Sequence, residues 1–255
     1  MAFIELLGAL CVRGEQARLP IRGAKQRSLL AALIVRGNTI VPAAELIHEI
    51  WGEEPPTGAE NALQAHVSRI RSALAAQNEL ARIRLHTRYP GYLIEVPEEG
   101  VDSHRFRRYC VQAQAVKTSY PEKAAALYRS GLALWRGPAL QDVPPGPIRD
   151  AEARRLASER RTAVASLVEL DLDLGRHLQI IPDLEQLVLD HPLEERFYAQ
   201  LMVALARSGR TGDALQVYQH ARLTLAREVG LSPSPALERR MRMILLESDR
   251  RDQPA

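Results

Sequence analysis

Asn61-Ala62-Leu63-Gln64-Ala65-His66-Val67-Ser68-Arg69-Ile70-Arg71-Ser72-Ala73-Leu74 is the stretch on which the fold turns. Leu63, Val67, Ile70 and Leu74 fall at i, i+4, i+7 and i+11, a narrow apolar stripe at the helical period. At about 100° per residue, Asn61, Ala65, Ser68, Arg69 and Ser72 lie on the far side, with Gln64 and Arg71 flanking it. His66 lies nearer the stripe. No carboxylate occurs between Asn61 and Asn78, whereas a plain solvated helix usually alternates the two signs of charge. Amides and guanidiniums on a small-residue face suit close approach to a polyanion and hydrogen bonding to base edges. The stretch reads as a DNA recognition helix.

The flanking sequence extends this pattern. Phe3 to Arg13 and Ala17 to Ile21 read as short strands around Gly8 and the turn Arg13-Gly14-Glu15-Gln16. Lys25 to Arg36 reads as a helix ended by Gly37-Asn38, and Ile40-Val41 as a bridging strand. Ala43 to Trp51 is a second helix, with Leu46, Ile47, Ile50 and Trp51 inward. Glu53-Glu54-Pro55-Pro56-Thr57 then forms a rigid acidic loop before the recognition helix. Beyond that helix, Ile83, Leu85 and Thr87 alternate with Arg82, Arg84 and His86, the period of a half-buried strand. Arg88-Tyr89-Pro90-Gly91 is a turn and Tyr92 to Val96 the returning strand. A hairpin directly after a helix-turn-helix is a wing, so helix and hairpin tip give two contact points on one duplex.

Composition sets limits. The 255 residues are 46% hydrophobic and 25% charged, with net charge +3. Affinity for nucleic acid must therefore come from a local patch, and between Thr57 and Leu93 the acids are only Glu60 and Glu79. Cys11 and Cys110 lack metal spacing and read as buried thiols of a reducing compartment. The start Met1-Ala2-Phe3-Ile4-Glu5-Leu6-Leu7 lacks a signal-peptide pattern, and no run approaches the ~20 apolar residues of a membrane span. The expectation is a soluble, cytoplasmic, nucleoid-associated protein.

Asn61 to Arg71, followed by Thr87-Arg88-Tyr89-Pro90-Gly91-Tyr92-Leu93, resembles the winged helix of OmpR-type response regulators. That resemblance implies base contact through Arg69, phosphate contact through His66 and Arg71, and minor-groove insertion by Arg88. The sequence departs from the pattern at Ser68, where many members of the family carry another arginine. The residues offered to DNA are Asn61, Gln64, His66, Ser68, Arg69, Arg71 and Ser72 on the helix, and Thr87 and Arg88 on the hairpin. Taken singly, each also fits a plainer role: Arg69 and Arg71 a solvated helix face, the wing arginines a guarded sheet edge, His66 a packing histidine.

Pro97-Glu98-Glu99-Gly100 is the natural domain boundary, with Asp102 or Ser103 capping the next helix. Beyond it the sequence reads as helices: His104 to Lys117, Pro121 to Trp135, Ile148 to Leu174, Pro182 to Asp190, Glu194 to Ser208, Thr211 to Val229 and Pro235 to Glu247. Gly175-Arg176 and Gly209-Arg210 lie 34 residues apart, the tetratricopeptide period, and Ala214/Tyr218 echoes Ala124/Tyr128. Asp150 to Arg161 reads as a solvated helix face with i,i+4 pairs. The fold class is thus an α+β winged helix-turn-helix with small antiparallel sheets at residues 1–97, then an all-α, tetratricopeptide-like domain at residues 101–250, mainly α overall.

Four longer stretches make the second half more specific: Ala133-Leu134-Trp135-Arg136-Gly137-Pro138-Ala139-Leu140, His191-Pro192-Leu193-Glu194-Glu195-Arg196, Leu201 to Arg210, and Ala214 to Pro233. Together they resemble the bacterial transcriptional activation domain that follows an OmpR-type winged helix in the Streptomyces antibiotic regulatory proteins. No Gly-x-x-x-x-Gly-Lys loop is present, so the chain compares with the small members that lack an ATPase domain. The resemblance implies a transcriptional activator on promoter direct repeats, with self-association on DNA, contact with RNA polymerase, and secondary-metabolite genes as targets. Glu53, Glu54 and Thr57 are candidates for touching polymerase; the same loop fits equally a proline-stiffened connector. The alternative is a helical-repeat adaptor that binds protein, or nucleic acid without sequence preference. The seven histidines are dispersed, so no catalytic constellation, metal or cofactor is expected.

Overall fold

The computed structural model describes residues 3–251; the expectation drawn from Met1 and Ala2 lies outside them. The chain forms two compact units, one built from the residues up to 112 with 127–161, the other from 113–126 with 162 onward.

The first unit opens with a two-stranded antiparallel sheet of β1 (Phe3–Glu5) and β2 (Cys11–Arg13). The strand expected over Ala17 to Ile21 is absent: only Arg18 makes an isolated bridge, to Arg13. Leu19 still donates its amide to the Val12 carbonyl at 2.8 Å, but Pro20 has no N–H to continue the ladder. Three helices come next, α1 (Ala24–Val35), α2 (Ala43–Trp51) and α3 (Ala59–Ala75). A three-stranded antiparallel sheet then closes the winged helix, in the order β3 (Val41–Pro42), β5 (Gly91–Glu95) and β4 (Arg84–Arg88). The stripe Leu63, Val67, Ile70 and Leu74 is buried against α1 and the sheet, joined by Leu29, Leu33, Leu46, Leu85 and Ile94. Each such side chain stabilises the fold by roughly 1.5–3 kcal/mol, which fixes the rotation of α3 about its axis.

The core continues past Gly100. Leu140, Val143 and Ile148 belong to the same cluster as the recognition helix's apolar stripe. Asp102, expected as a helix cap, is the first residue of α4 (Asp102–Val116) and turns its side chain to other partners. Its buried carboxylate accepts the amides of Leu6 and Leu7 at 2.8 and 3.2 Å and the Arg136 guanidinium at 2.6 Å. Helix α5 (Pro121–Leu132) stops short of the expected Trp135, whose ring instead meets Phe106 edge-on at 5.5 Å. On α6 (Pro147–Asp173), Glu152 and Glu159 are not simply solvated: Arg107 of α4 reaches both, at 2.7 and 2.8 Å, beside the expected i,i+4 pair Arg155–Glu159. Cys11 is buried but Cys110 only half-buried; burial raises both thiols, Cys110 to about 11.

The second unit is helical. It contains α7 (His177–Asp190), α8 (Glu195–Arg207), α9 (Thr211–Val229) and α10 (Pro235–Arg251), with α8 packed on the other three. Pro182 lies inside α7 rather than starting it. Burial of Ile180 and Ile181 in the turn before it holds the helix together across the missing amide. Gly175 and Gly209 take left-handed backbone at φ 76° and 79°, following α6 and α8 at the repeat interval with α7 between them. Ala124 and Tyr128 on α5, and Ala214 and Tyr218 on α9, are all buried. The result is a tetratricopeptide-like helical array.

Candidate nucleic-acid interface

Helix α3 starts at Gly58, whose φ of 82° turns the chain out of the preceding loop. With the apolar stripe buried, Asn61, Gln64, Ser68, Arg69, Arg71 and Ser72 are all exposed along one side of the helix. Thr87 and Arg88 are exposed at the end of β4, as are Arg82 and Arg84 nearby. The structure brings helix and hairpin together through Arg71, which donates from Nε to the Leu85 carbonyl at 3.0 Å and from Nη2 to Thr87 Oγ1 at 3.1 Å. Arg71 is therefore a brace between the two elements, with part of its guanidinium still open to solvent.

His66 is set differently. It is half-buried, its ring lies 6.2 Å from that of Trp51, and its Nδ1 is buried without a partner. Burial lowers its pKa, and Arg69 and Lys25 add to the effect. Neutral imidazole offers a phosphate one N–H rather than a charge. Trp51 is only partly buried, and it links α2 to α3 through this contact.

Sequence reasoning missed Lys25. Its Nζ sits 5.0 Å from the centre of the Trp51 ring, which places a cation from α1 beside His66. Helical period assigns Lys25 only to a helix start; the aromatic that gathers it lies on another element.

The two acids of this region are disposed differently. Glu60 is exposed in the first turn of α3, where the helix dipole favours it. The Glu79 carboxylate accepts the amides of Gln16 and Ala17 at 3.0 and 3.2 Å, which holds its pKa below the usual value. Glu53, Glu54 and Thr57 are exposed in the loop between α2 and α3, with His48 Nε2 3.9 Å from the Glu53 carboxylate. Among the described residues no group of three or more His, Cys, Asp or Glu side chains is placed to hold a metal ion, and no helix is long and apolar enough to cross a membrane.

The C-terminal family of transcriptional regulatory proteins matches residues 20–94, and the bacterial transcriptional activator domain matches residues 101–245. A winged helix of the first kind followed by a helical domain of the second defines a DNA-binding transcriptional activator. Transcriptional regulator RedD of Streptomyces coelicolor is 40% identical over 247 residues, covering 96% of this chain and 70% of RedD. Regulatory protein DnrI of Streptomyces peucetius is 35% identical over 248 residues, covering 95% and 91%. The solved structure of Mycobacterium tuberculosis EmbR in complex with a low-affinity phosphopeptide superposes with a TM-score of 0.88 at 30% identity, covering 100% of this chain and 66% of that one. The chain belongs to the Streptomyces antibiotic regulatory protein family.

Proposed function

We propose that this protein activates a secondary-metabolite biosynthetic gene cluster by binding direct repeats in its promoters and recruiting RNA polymerase. The observation that carries the reading is the exposed side of α3, which holds no acid from Asn61 to its end and is joined to the hairpin tip by Arg71. Residues 1–97 hold the DNA and residues 101–250 serve activation. Helix α3 enters the major groove, where Arg69 reads a base edge and Asn61, Gln64, Ser68 and Ser72 line the same approach. His66 and Arg71 position the helix on phosphates, Thr87 supports Arg71, and Arg88 reaches the adjacent minor groove. Protomers sit head-to-tail on the repeats, since direct repeats suit a heterologous contact rather than a two-fold one. The exposed loop carrying Glu53, Glu54 and Thr57 meets polymerase. The protein acts in the cytoplasm, on the nucleoid.

Footprinting of the promoters neighbouring its own gene tests this. Wild-type protein is expected to protect paired direct repeats. Arg69→Ala is expected to lose discrimination worth about 1–3 kcal/mol at one base pair of each repeat. Uniform coverage of all DNA, equally weakened by salt at every sequence, sinks the specific reading and leaves the non-specific adaptor.

A further inference from the structure

The second unit contains a cavity of about 330 Å³ between α6, α8 and α10. Leu172, Ala199 and Val203 form its apolar part, and the remainder is charged or amide. Glu169 on its wall is already neutralised, by Arg196 at 2.7 Å and Lys117 at 3.0 Å. Arg207 spends Nη1 on the Leu172 carbonyl at 2.6 Å. Arg240 and Asp173 also line the cavity, and none of Arg207, Arg240 and Asp173 makes an ion pair among the described residues. Gln200, buried in the wall, donates from Nε2 to the Ala165 carbonyl at 2.7 Å. That bond fixes the amide orientation, so Oε1 is the atom left without a donor.

A cavity with open guanidiniums, one open carboxylate, an unmet acceptor and an aliphatic floor defines what fits it. The guanidiniums ask for a carboxylate. A phosphate dianion would meet the open Asp173 carboxylate on the wall, a repulsion that a monoanion lessens. Asp173 asks for a cation or N–H group on the same ligand. We propose that this cavity binds a free aliphatic α-amino acid, its carboxylate between Arg207 and Arg240, its ammonium toward Asp173, and its side chain on Leu172, Ala199 and Val203. The volume lies at the low end of small-molecule sites, as such a ligand requires.

Thermal unfolding and titration calorimetry of the full chain test this, with L-leucine, L-valine, L-isoleucine and L-methionine as probes. At least one is expected to give saturable stabilisation below about 10 mM. 4-Methylpentanoate, which lacks the ammonium, and 3-methylbutylamine, which lacks the carboxylate, are expected to bind at least about tenfold more weakly. Arg240→Gln is expected to weaken binding by about tenfold, and Asp173→Asn to erase the preference for leucine over 4-methylpentanoate. Both positions are exposed, so circular dichroism should show the fold unchanged; Arg240→Lys stands in if Arg240→Gln does not fold. No saturable response to any of the four amino acids overturns the proposal, as does undiminished binding by the Arg240 variant. Binding of N-acetyl-glycyl-leucine as tight as that of leucine also overturns it, because the site would then take a chain terminus.

Discussion

Glu49 shows how far one side chain can act from its own helix. It lies on α2, is 3% exposed, and accepts the amides of Ile148 and Arg149 at 2.7 and 3.1 Å, capping α6 from 99 residues away in sequence. Glu49→Ala leaves two first-turn amides without that partner and is expected to lower the free energy of unfolding by about 2–3 kcal/mol in urea titration. Glu49→Gln keeps one acceptor and should lose less than half of that. Titration adds a second test. Burial, with Arg69 and Lys25 nearby, lowers His66 below its ordinary 6.5, so the unfolded chain takes up the proton first. The stability tied to neutral His66 is therefore present above that value and is lost as pH falls through the lower native one. Between about pH 7 and 5.5, His66→Asn should show a shallower loss of stability than wild type; parallel slopes would contradict the burial. Glu49 runs the opposite way: burial raises it, so acidification through its native value strengthens that site. Neither environment was legible in sequence. A carboxylate amid Leu46, Ile47 and Ile50 reads as a solvent edge until its remote partner is known, and a histidine beside the apolar stripe fits a packing or a surface role until the Trp51 ring is placed against it.

At the scale of elements, helical period carried most of the information. The buried set of α3 is the stripe read from sequence with Ala59 added, and α2 and α9 have the bounds their flanking signals predicted. Period serves well here because one face is buried along the whole helix, so every turn repeats the same demand. Short strands obey no such demand, and Ala17 to Ile21 pairs only around Arg18 and Leu19 before Pro20, without an N–H, ends the ladder. The helix–hairpin bond at Arg71 was equally hidden, since guanidinium reach across elements leaves no trace in periodicity. Gly91 sets the hairpin's position in the sheet. A methyl group there would lie 1.9 Å from the Val41 carbonyl oxygen and 2.8 Å from Pro42 Cα, both backbone atoms that move only if β3 leaves β5. Gly91→Ala is expected to cost about 3 kcal/mol in denaturant unfolding and to weaken DNA binding as the hairpin tip shifts. Unchanged stability with full DNA affinity would mean that β3 does not hold the wing.

At the scale of the molecule, the family match and the packing divide the chain at different places. The activator-domain match begins at residue 101, yet the first compact unit takes in residues up to 112 and 127–161. Composition places a boundary at Pro97-Glu98-Glu99-Gly100 because a polar turn separates two kinds of secondary structure; it cannot register that later side chains return to the earlier core. Leu140, Val143 and Ile148 do return, each no more than 5% exposed. Arg136 and Leu140 also donate their amides to the carbonyls of Leu7 and Leu6 at 2.8 and 2.9 Å, while Asp102 takes the Leu6 and Leu7 amides. A fragment ending at Pro97 keeps every candidate DNA contact but loses these partners, exposing Leu6 and Leu7 and leaving their polar backbone to water. It is therefore expected to melt well below a fragment ending at Arg161, by about 10 °C or more if two to three kcal/mol of burial and hydrogen bonding are lost. Circular dichroism melts of the two fragments decide it. Equal midpoints would mean that the winged helix is self-sufficient and that the returning segment only rests on it.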